Sequence, residues 1–291
     1  MIARDALVDA VVRFLGASDL LSAKDIRATL EREIDAAGAD ALVALKERLT
    51  VDRGWDYYPP DPLARRIHHA LADRFLTADS GVDGVEQLAA IAGEPAIVFA
   101  NHLSYSDANV IDVLLQRAGA GEVATRLTAL AGPKVFTSRE RRFSSLCFGT
   151  IKVPQSADVA SEEAVLGARE VAQAARRAID VAHSRLRAGD VLVLFGEGTR
   201  SRDGRMQRLL PAVARYVEVP QTWIVPVGLT GSETLFSIAD AAPRPARVRM
   251  SVGRPRRVEE LVAGGGDRRA VVDAIGKAIA QQLPPEYRGA Y

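Results

Sequence analysis

Sulfur is scarce in this 291-residue chain: its single cysteine, Cys147, excludes an internal disulfide. Flanked by Leu146 and Phe148, it is expected to be a buried structural thiol rather than a nucleophile. No apolar run approaches the length of about 18 residues needed to cross a bilayer. The opening MIARDALVDA lacks the basic start and apolar core of a signal peptide, so the expected location is the cytoplasm. An excess of one charge is missing too. The 38 Lys and Arg against 37 Asp and Glu leave a net +1, which argues against a nucleic-acid binder. Only four histidines are present, and the adjacent His68 and His69 have no Cys or further His nearby, so no metal site is expected. A Gly-x-Ser-x-Gly elbow is absent, which weighs against a serine hydrolase, and no Gly-x4-Gly-Lys-Ser/Thr loop marks a P-loop enzyme.

The apolar content of 48% is enough to fill the core of one large domain plus a small one. The N-terminal part carries helical periods at Leu7, Val11, Phe14 and Leu15, at Ile26, Leu30 and Ile34, at Leu42, Leu45 and Leu49, and at Ile67, Leu71 and Phe75. Ser22 is a candidate cap for the second helix and Gly38 a candidate stop. WDYYPPDP at 55–62 reads as the connection before the fourth helix. Residues 1–80 are therefore expected to form a small helical bundle and residues 81–291 an α/β catalytic domain. In that second part AIVFA, TRLTALAG, GTIKVP, VLVLF, TWIVPVGLTG and ARVRMSVG read as strands, alternating with helices at 107–118, 161–188 and 267–283. The fold class expected is α/β, a mixed sheet flanked by helices. The helix from Ser161 should bury Ala164, Ala168, Val171, Ala175, Ile179, Ala182 and Leu186, and 254–269 reads as a surface loop.

Two short islands carry the chemistry. NHLSYSD at 101–107 follows the strand-like AIVFA, so His102 should lie at a strand's C-terminal end, where ligand crevices form in open α/β sheets. A turn can then fold Asp107 back onto the imidazole. A carboxylate on one ring nitrogen fixes the tautomer and leaves the other free to take a proton from an alcohol. Taken alone, His-x4-Asp is a common chance match, in which Ser106 or Asp107 caps the next helix. FGEGTRSRDG at 195–204 also follows a buried strand. Gly196 and Gly198 let backbone approach a ligand, Thr199 and Ser201 offer hydroxyls, and Arg200 and Arg202 offer forked donors suited to phosphate. Asp203 and Gly204 are assigned to a plain turn. Arg139, Arg141 and Arg142, with Arg205 and Arg208, could form a basic rim, although singly Arg141, Arg142, Arg205 and Arg208 read as solvated surface residues.

Taken together, the chain resembles the glycerolipid acyltransferases, the glycerol-3-phosphate and lysophosphatidate (1-acylglycerol-3-phosphate) enzymes, in four blocks spread over about 130 residues. They are His102 to Asp107; GPKVFTSR with Gly132, Phe136 and Arg139; FGEGTRSR; and IVPVGLTG centred on Pro226. The leader and AGPKVFTSRERRFSSLCFG are most similar to the soluble plastid-type glycerol-3-phosphate acyltransferases. The Lys-Lys-His cluster of that type is replaced here by Gln155, Ser156 and Ala157, and the Glu-Gly-Thr-Arg-Ser wording is closer to the lysophosphatidate enzymes.

The resemblance implies acyl transfer from acyl-coenzyme A or acyl carrier protein, as co-substrate, to a phosphorylated glycerol, with no further cofactor. His102 would be the general base and Asp107 its holder. Arg200 and Arg202 would bind the acceptor phosphate, with Arg139 as a further candidate, and Glu197 and Gly198 would line the acceptor pocket. Pro226 would shape the wall. The partners expected are the acyl donor, the acceptor and, peripherally, the inner face of the membrane. A phosphate- or lipid-binding module without catalysis is the competing reading; it has no need of His102 and Asp107.

Overall fold

The computed structural model describes residues 4–15, 20–154, 167–236, 243–261 and 267–291. Four amphipathic helices come first: α1 (Arg4–Phe14), α2 (Leu20–Ala37), α3 (Ala39–Thr50) and α4 (Pro62–Leu71). Their expected stripes meet in one core, Leu7 and Val11 against Ile26, Leu30, Leu45 and Ile67; the side chain of Phe14 lies outside the described residues. Each such fully buried side chain contributes about 1.5–3 kcal/mol. Gly38 stops α2 as expected, at φ +85°, a conformation that disfavours residues bearing a Cβ. Ser22 does not start it, because α2 begins at Leu20. α4 opens with Pro62 at its first position and with the Asp61 carboxylate accepting the amides of Leu63 and Ala64.

The remaining helices are α5 (Asp107–Arg117), α6 (Gly121–Thr125), α7 (Arg139–Ser145), α8 (Ala168–Arg187), α9 (Val258–Leu261), α10 (Arg268–Ala280) and α11 (Pro285–Arg288). The strands are β1 (Tyr57–Tyr58), β2 (Gly81–Asp83), β3 (Ala96–Ala100), β4 (Leu127–Ala131), β5 (Gly149–Lys152), β6 (Val191–Phe195), β7 (Trp223–Thr230), β8 (Arg249–Val252) and β9 (Arg256–Arg257). They form a mixed sheet in the order β1-β5-β4-β6-β3-β7-β8-β2, with β9 on β7. The five strands β5, β4, β6, β3 and β7 run parallel, so their C-terminal ends share one edge. β1 is antiparallel to β5, and β8 and β9 to β7.

Because side chains alternate along a strand, the central strands feed two cores. Ala96, Val98 and Ala100 of β3 pack with α5, and Ile97 and Phe99 with α8 and α10. All five are buried, which accounts for the unbroken apolar runs in the sequence. Cys147 is buried as expected, and desolvation pushes its thiol well above the usual range, as suits a structural sulfur.

Several elements differ from the sequence reading. Tyr57–Tyr58 is an edge strand rather than plain connection: buried Tyr58 donates its hydroxyl to Asp52 and receives the Arg53 amide. Arg142 is buried, lying over the Tyr58 ring and donating to the Val51 carbonyl, because α7 packs on the N-terminal helices. The buried face of α8 is Ala174, Ala178, Val181, Ala182 and Leu186, rotated from the expected one; alanine spacing alone did not fix the phase. Ser161 and Ala164 lie outside the described residues. The segment read as a loop at 254–269 contains β9 and α9.

Pro226 sits within β7, paired with Phe99. Its carbonyl accepts the Gly253 amide, so its missing N–H faces the break between β8 and β9 and costs no ladder bond.

Candidate active site

The site is assembled where β3, β6 and β7 end together. Asn101, the first residue past β3, is fully buried, and its amide both donates to the Leu229 carbonyl at 3.0 Å and accepts the Leu229 N–H at 2.7 Å. This pins the end of β3 to β7 and fixes where the next residue, His102, emerges. Asp107 is the first residue of α5 and is fully buried. Its Oδ2 accepts His102 Nδ1 at 2.9 Å and the amides of Leu103 and Ser104 at 2.7 and 2.9 Å. Its Oδ1 accepts the Ser232 hydroxyl at 2.7 Å. Four donors and the helix N-terminus offset the cost of burying the charge. Ser106 makes no side-chain cap, and the carboxylate serves loop and imidazole rather than helix amides. Nδ1 is thereby the protonated nitrogen, and Nε2, which makes no hydrogen bond among the described residues, carries the free lone pair.

The third block closes on His102 from β6. Phe195 stacks on the imidazole, with ring centroids 4.3 Å apart and planes 18° apart. Glu197 accepts the His102 amide at 2.7 Å through Oε1 and the Gln207 amide at 2.6 Å through Oε2. The Ser201 amide donates to the His102 carbonyl at 2.8 Å. Both backbone groups of His102 are therefore held by 195–204. Glu197 is only 5% exposed, and desolvation raises its carboxyl to about 7 in spite of those two amides. Gly198 requires its residue type: φ is +73°, and an added Cβ would lie 2.4 Å from Leu210 Cδ1. Asp203 and Gly204 form the expected turn, Asp203 Oδ1 accepting the Ser201 hydroxyl and the Arg205 amide.

His102, Asp107, Glu197 and Ser201 thus form one connected cluster. Gly198, Thr199 and Arg200 form its rim. Gly198 and Thr199 are exposed, and the Arg200 guanidinium lies 3.6 Å above the centre of the Tyr105 ring. Arg202 is exposed two residues on. Arg139 begins α7, beyond the end of β4 at the same sheet edge; it is exposed and makes no contact with the His102 cluster. Gln155, Ser156 and Ala157 lie outside the described residues.

Beside this cluster an apolar cavity of about 80 Å³ runs from Ser106 between α4 and α5. Leu71, Phe75, Val110, Val113 and Leu235 line it, Val11 and Leu15 of the N-terminal segment help to close it, and Cys147 and His68 also face it. Burial lowers His68 to about 4, so a neutral ring faces the cavity. A wider cleft of about 530 Å³ is bordered by Arg65, Arg66 and His69 and includes none of the four blocks. Its arginines are already matched, Arg65 by Asp112 and Arg66 by Glu33, and His69 Nε2 meets Asp112 Oδ2 at 2.8 Å.

Residues 80–230, just over half of the chain, match the Acyltransferase family. The chain belongs to the acyltransferase family. The fold of this acyltransferase is similar to that of the 1-acyl-sn-glycerophosphate (LPA) acyltransferase PlsC from Thermotoga maritima, with 18% sequence identity, 94% of each chain covered and a TM-score of 0.51. No curated protein sequence matches it significantly. Among the described residues no helix is long and apolar enough to cross a membrane.

Sequence reasoning missed Asn101, Tyr105, Phe195 and Ser232, although the first three lie inside the two islands. Nothing in the local pattern of Ser232 announces its contact with a residue 125 positions away.

Proposed function

We propose that this acyltransferase moves an acyl group from the thioester of acyl-coenzyme A or acyl carrier protein to a hydroxyl of glycerol 3-phosphate. His102 Nε2 takes the hydroxyl proton as the oxygen attacks the thioester carbonyl; the C–O bond forms, the C–S bond breaks, and the imidazolium returns its proton to the departing thiolate. No covalent enzyme intermediate is involved. Asp107 holds the ring and stabilises the imidazolium. A backbone amide of the third block stabilises the oxyanion. Arg200 and Arg202 take the acceptor phosphate through charge-assisted hydrogen bonds, with Thr199 and Gly198 beside them and Arg139 as an outer contact. Glu197, at the inner end of the acceptor pocket, acts through the His102 backbone it holds rather than on the acceptor. The apolar cavity beside Ser106 takes the first few carbons of the acyl chain.

The observation that carries this reading is the 2.9 Å hydrogen bond from His102 Nδ1 to a fully buried carboxylate, which leaves Nε2 without a hydrogen bond among the described residues, at the sheet edge where the Arg200 loop also begins. Residues 1–80 are taken as a helical unit ahead of a catalytic part at 81–291, and they supply one wall of the chain cavity. Lysophosphatidate is the second reading. It is favoured by the fold likeness to the LPA acyltransferase PlsC. The basic rim gives peripheral contact with anionic lipid.

An acceptor screen decides among these readings. Glycerol 3-phosphate, lysophosphatidate and a non-phosphorylated alcohol are each offered with acyl-coenzyme A and with acyl carrier protein, and free thiol is followed. Release with glycerol 3-phosphate above the others supports the first reading, and preference for lysophosphatidate replaces it with the second. No release with any pair leaves a binding module.

A further inference from the structure

Ser232 belongs to none of the four blocks, yet it is fully buried and donates to Asp107 Oδ1 at 2.7 Å. It reaches that place by a specific backbone device. β7 ends at Thr230, Gly231 turns the chain at φ +87°, and a Cβ there would lie 2.1 Å from the Arg247 carbonyl oxygen. Only glycine passes this point without displacing backbone. The one-turn helix Ser232–Thr234 then starts directly under the N-terminus of α5. Oδ2 of Asp107 is shared by three donors, whereas Ser232 is the donor on Oδ1.

We infer that Ser232 is a positioning residue for the transfer, the third member of a relay Ser232–Asp107–His102 that sets both the orientation of the carboxylate and the basicity of the imidazole it faces. A hydroxyl donating to one oxygen draws charge from the carboxylate and leaves less of it to stabilise an imidazolium on the other. Loss of the hydroxyl concentrates charge toward His102 and removes one of the four hydrogen bonds that restrain rotation about the Cβ–Cγ bond of Asp107. The inference rests on His102 being the base. The charged groups that contact His102 are Asp107 from α5 and Glu197 from the loop after β6, and neither is altered by changing Ser232.

The test is Ser232→Ala in the full chain, checked for folding by circular dichroism and thermal unfolding. The expected kinetics are a kcat lower by about tenfold, the scale of one charge-assisted hydrogen bond, with acceptor and donor KM nearly unchanged. The acidic limb of kcat/KM should move to higher pH. The ¹⁵N signals of the His102 ring, followed by NMR through a pH titration, should show their midpoint moving up in the same variant, a measurement that needs no turnover. A folded variant with unchanged kcat and unchanged ring titration overturns the relay. A moved titration together with a fully active His102→Ala protein keeps the relay and instead removes His102 as base.

Discussion

The main-chain amide of His102 points into the carboxylate of Glu197, 2.7 Å from Oε1, while Oε2 takes the amide of Gln207. Two loops that leave adjacent strands are thus joined by one buried side chain. Glu197→Gln presents a donor to one of the two amides, and Glu197→Ala removes both acceptors. Each should lower kcat, by about tenfold for Gln and more for Ala, while acceptor KM changes little. Steady-state kinetics with varied acceptor check this. A large rise in acceptor KM at constant kcat would place Glu197 against the substrate instead.

Burial raises Glu197 from 4.5 to about 7, with Asp107 and Asp203 adding repulsion. A carboxyl raised in the folded state adds stability that is full below its unfolded value and is lost as pH rises through about 7. At about 1.4 kcal/mol per unit the full effect is on the order of 3 kcal/mol. Melting temperature should therefore fall from pH 5 to pH 8 in the native protein and fall less in Glu197→Gln. Parallel curves for the two proteins would contradict this.

The Arg200 and Arg202 side chains stand at the rim, Arg200 over the Tyr105 ring, and neither bonds to His102, Asp107 or Glu197, so truncating them should leave the base intact. Arg200→Ala and Arg202→Ala are each expected to raise acceptor KM by about tenfold or more and donor KM much less. The opposite split would reassign the loop to the phosphates of the coenzyme.

The rim also faces lipid in the proposed function. Flotation with vesicles containing anionic phospholipid should carry the protein upward at low salt and release it at about 0.5 M salt, where the screening length is only a few ångströms. Protein that stays in solution at low salt sinks the peripheral contact.

Much of this was readable in the sequence because the parallel strands are short, apolar on both faces and followed at once by their motif residues. Val98, Val193 and Val225 sit in strands whose ends carry His102, Glu197 and Ser232. The four helices of residues 4–71 were legible from their spacing for the same reason: each buries one stripe. What escaped depends on partners far away in the chain. The burial of Arg142 needs Tyr58 and Val51, and the edge strand at Tyr57 exists only because Ile151 is there to pair with it. Ser232 looks like any residue after a turn until Gly231 and α5 are placed.

The central claim is that His102 Nε2 takes the acceptor proton while Asp107 holds the ring. The most direct measurement is the single-turnover rate of thiol release in folded His102→Ala and Asp107→Asn proteins at saturating acceptor. The account predicts transfer abolished in the first and lowered by about 10²-fold or more in the second, the scale of general-base chemistry. Near-native turnover in a folded His102→Ala protein would contradict it.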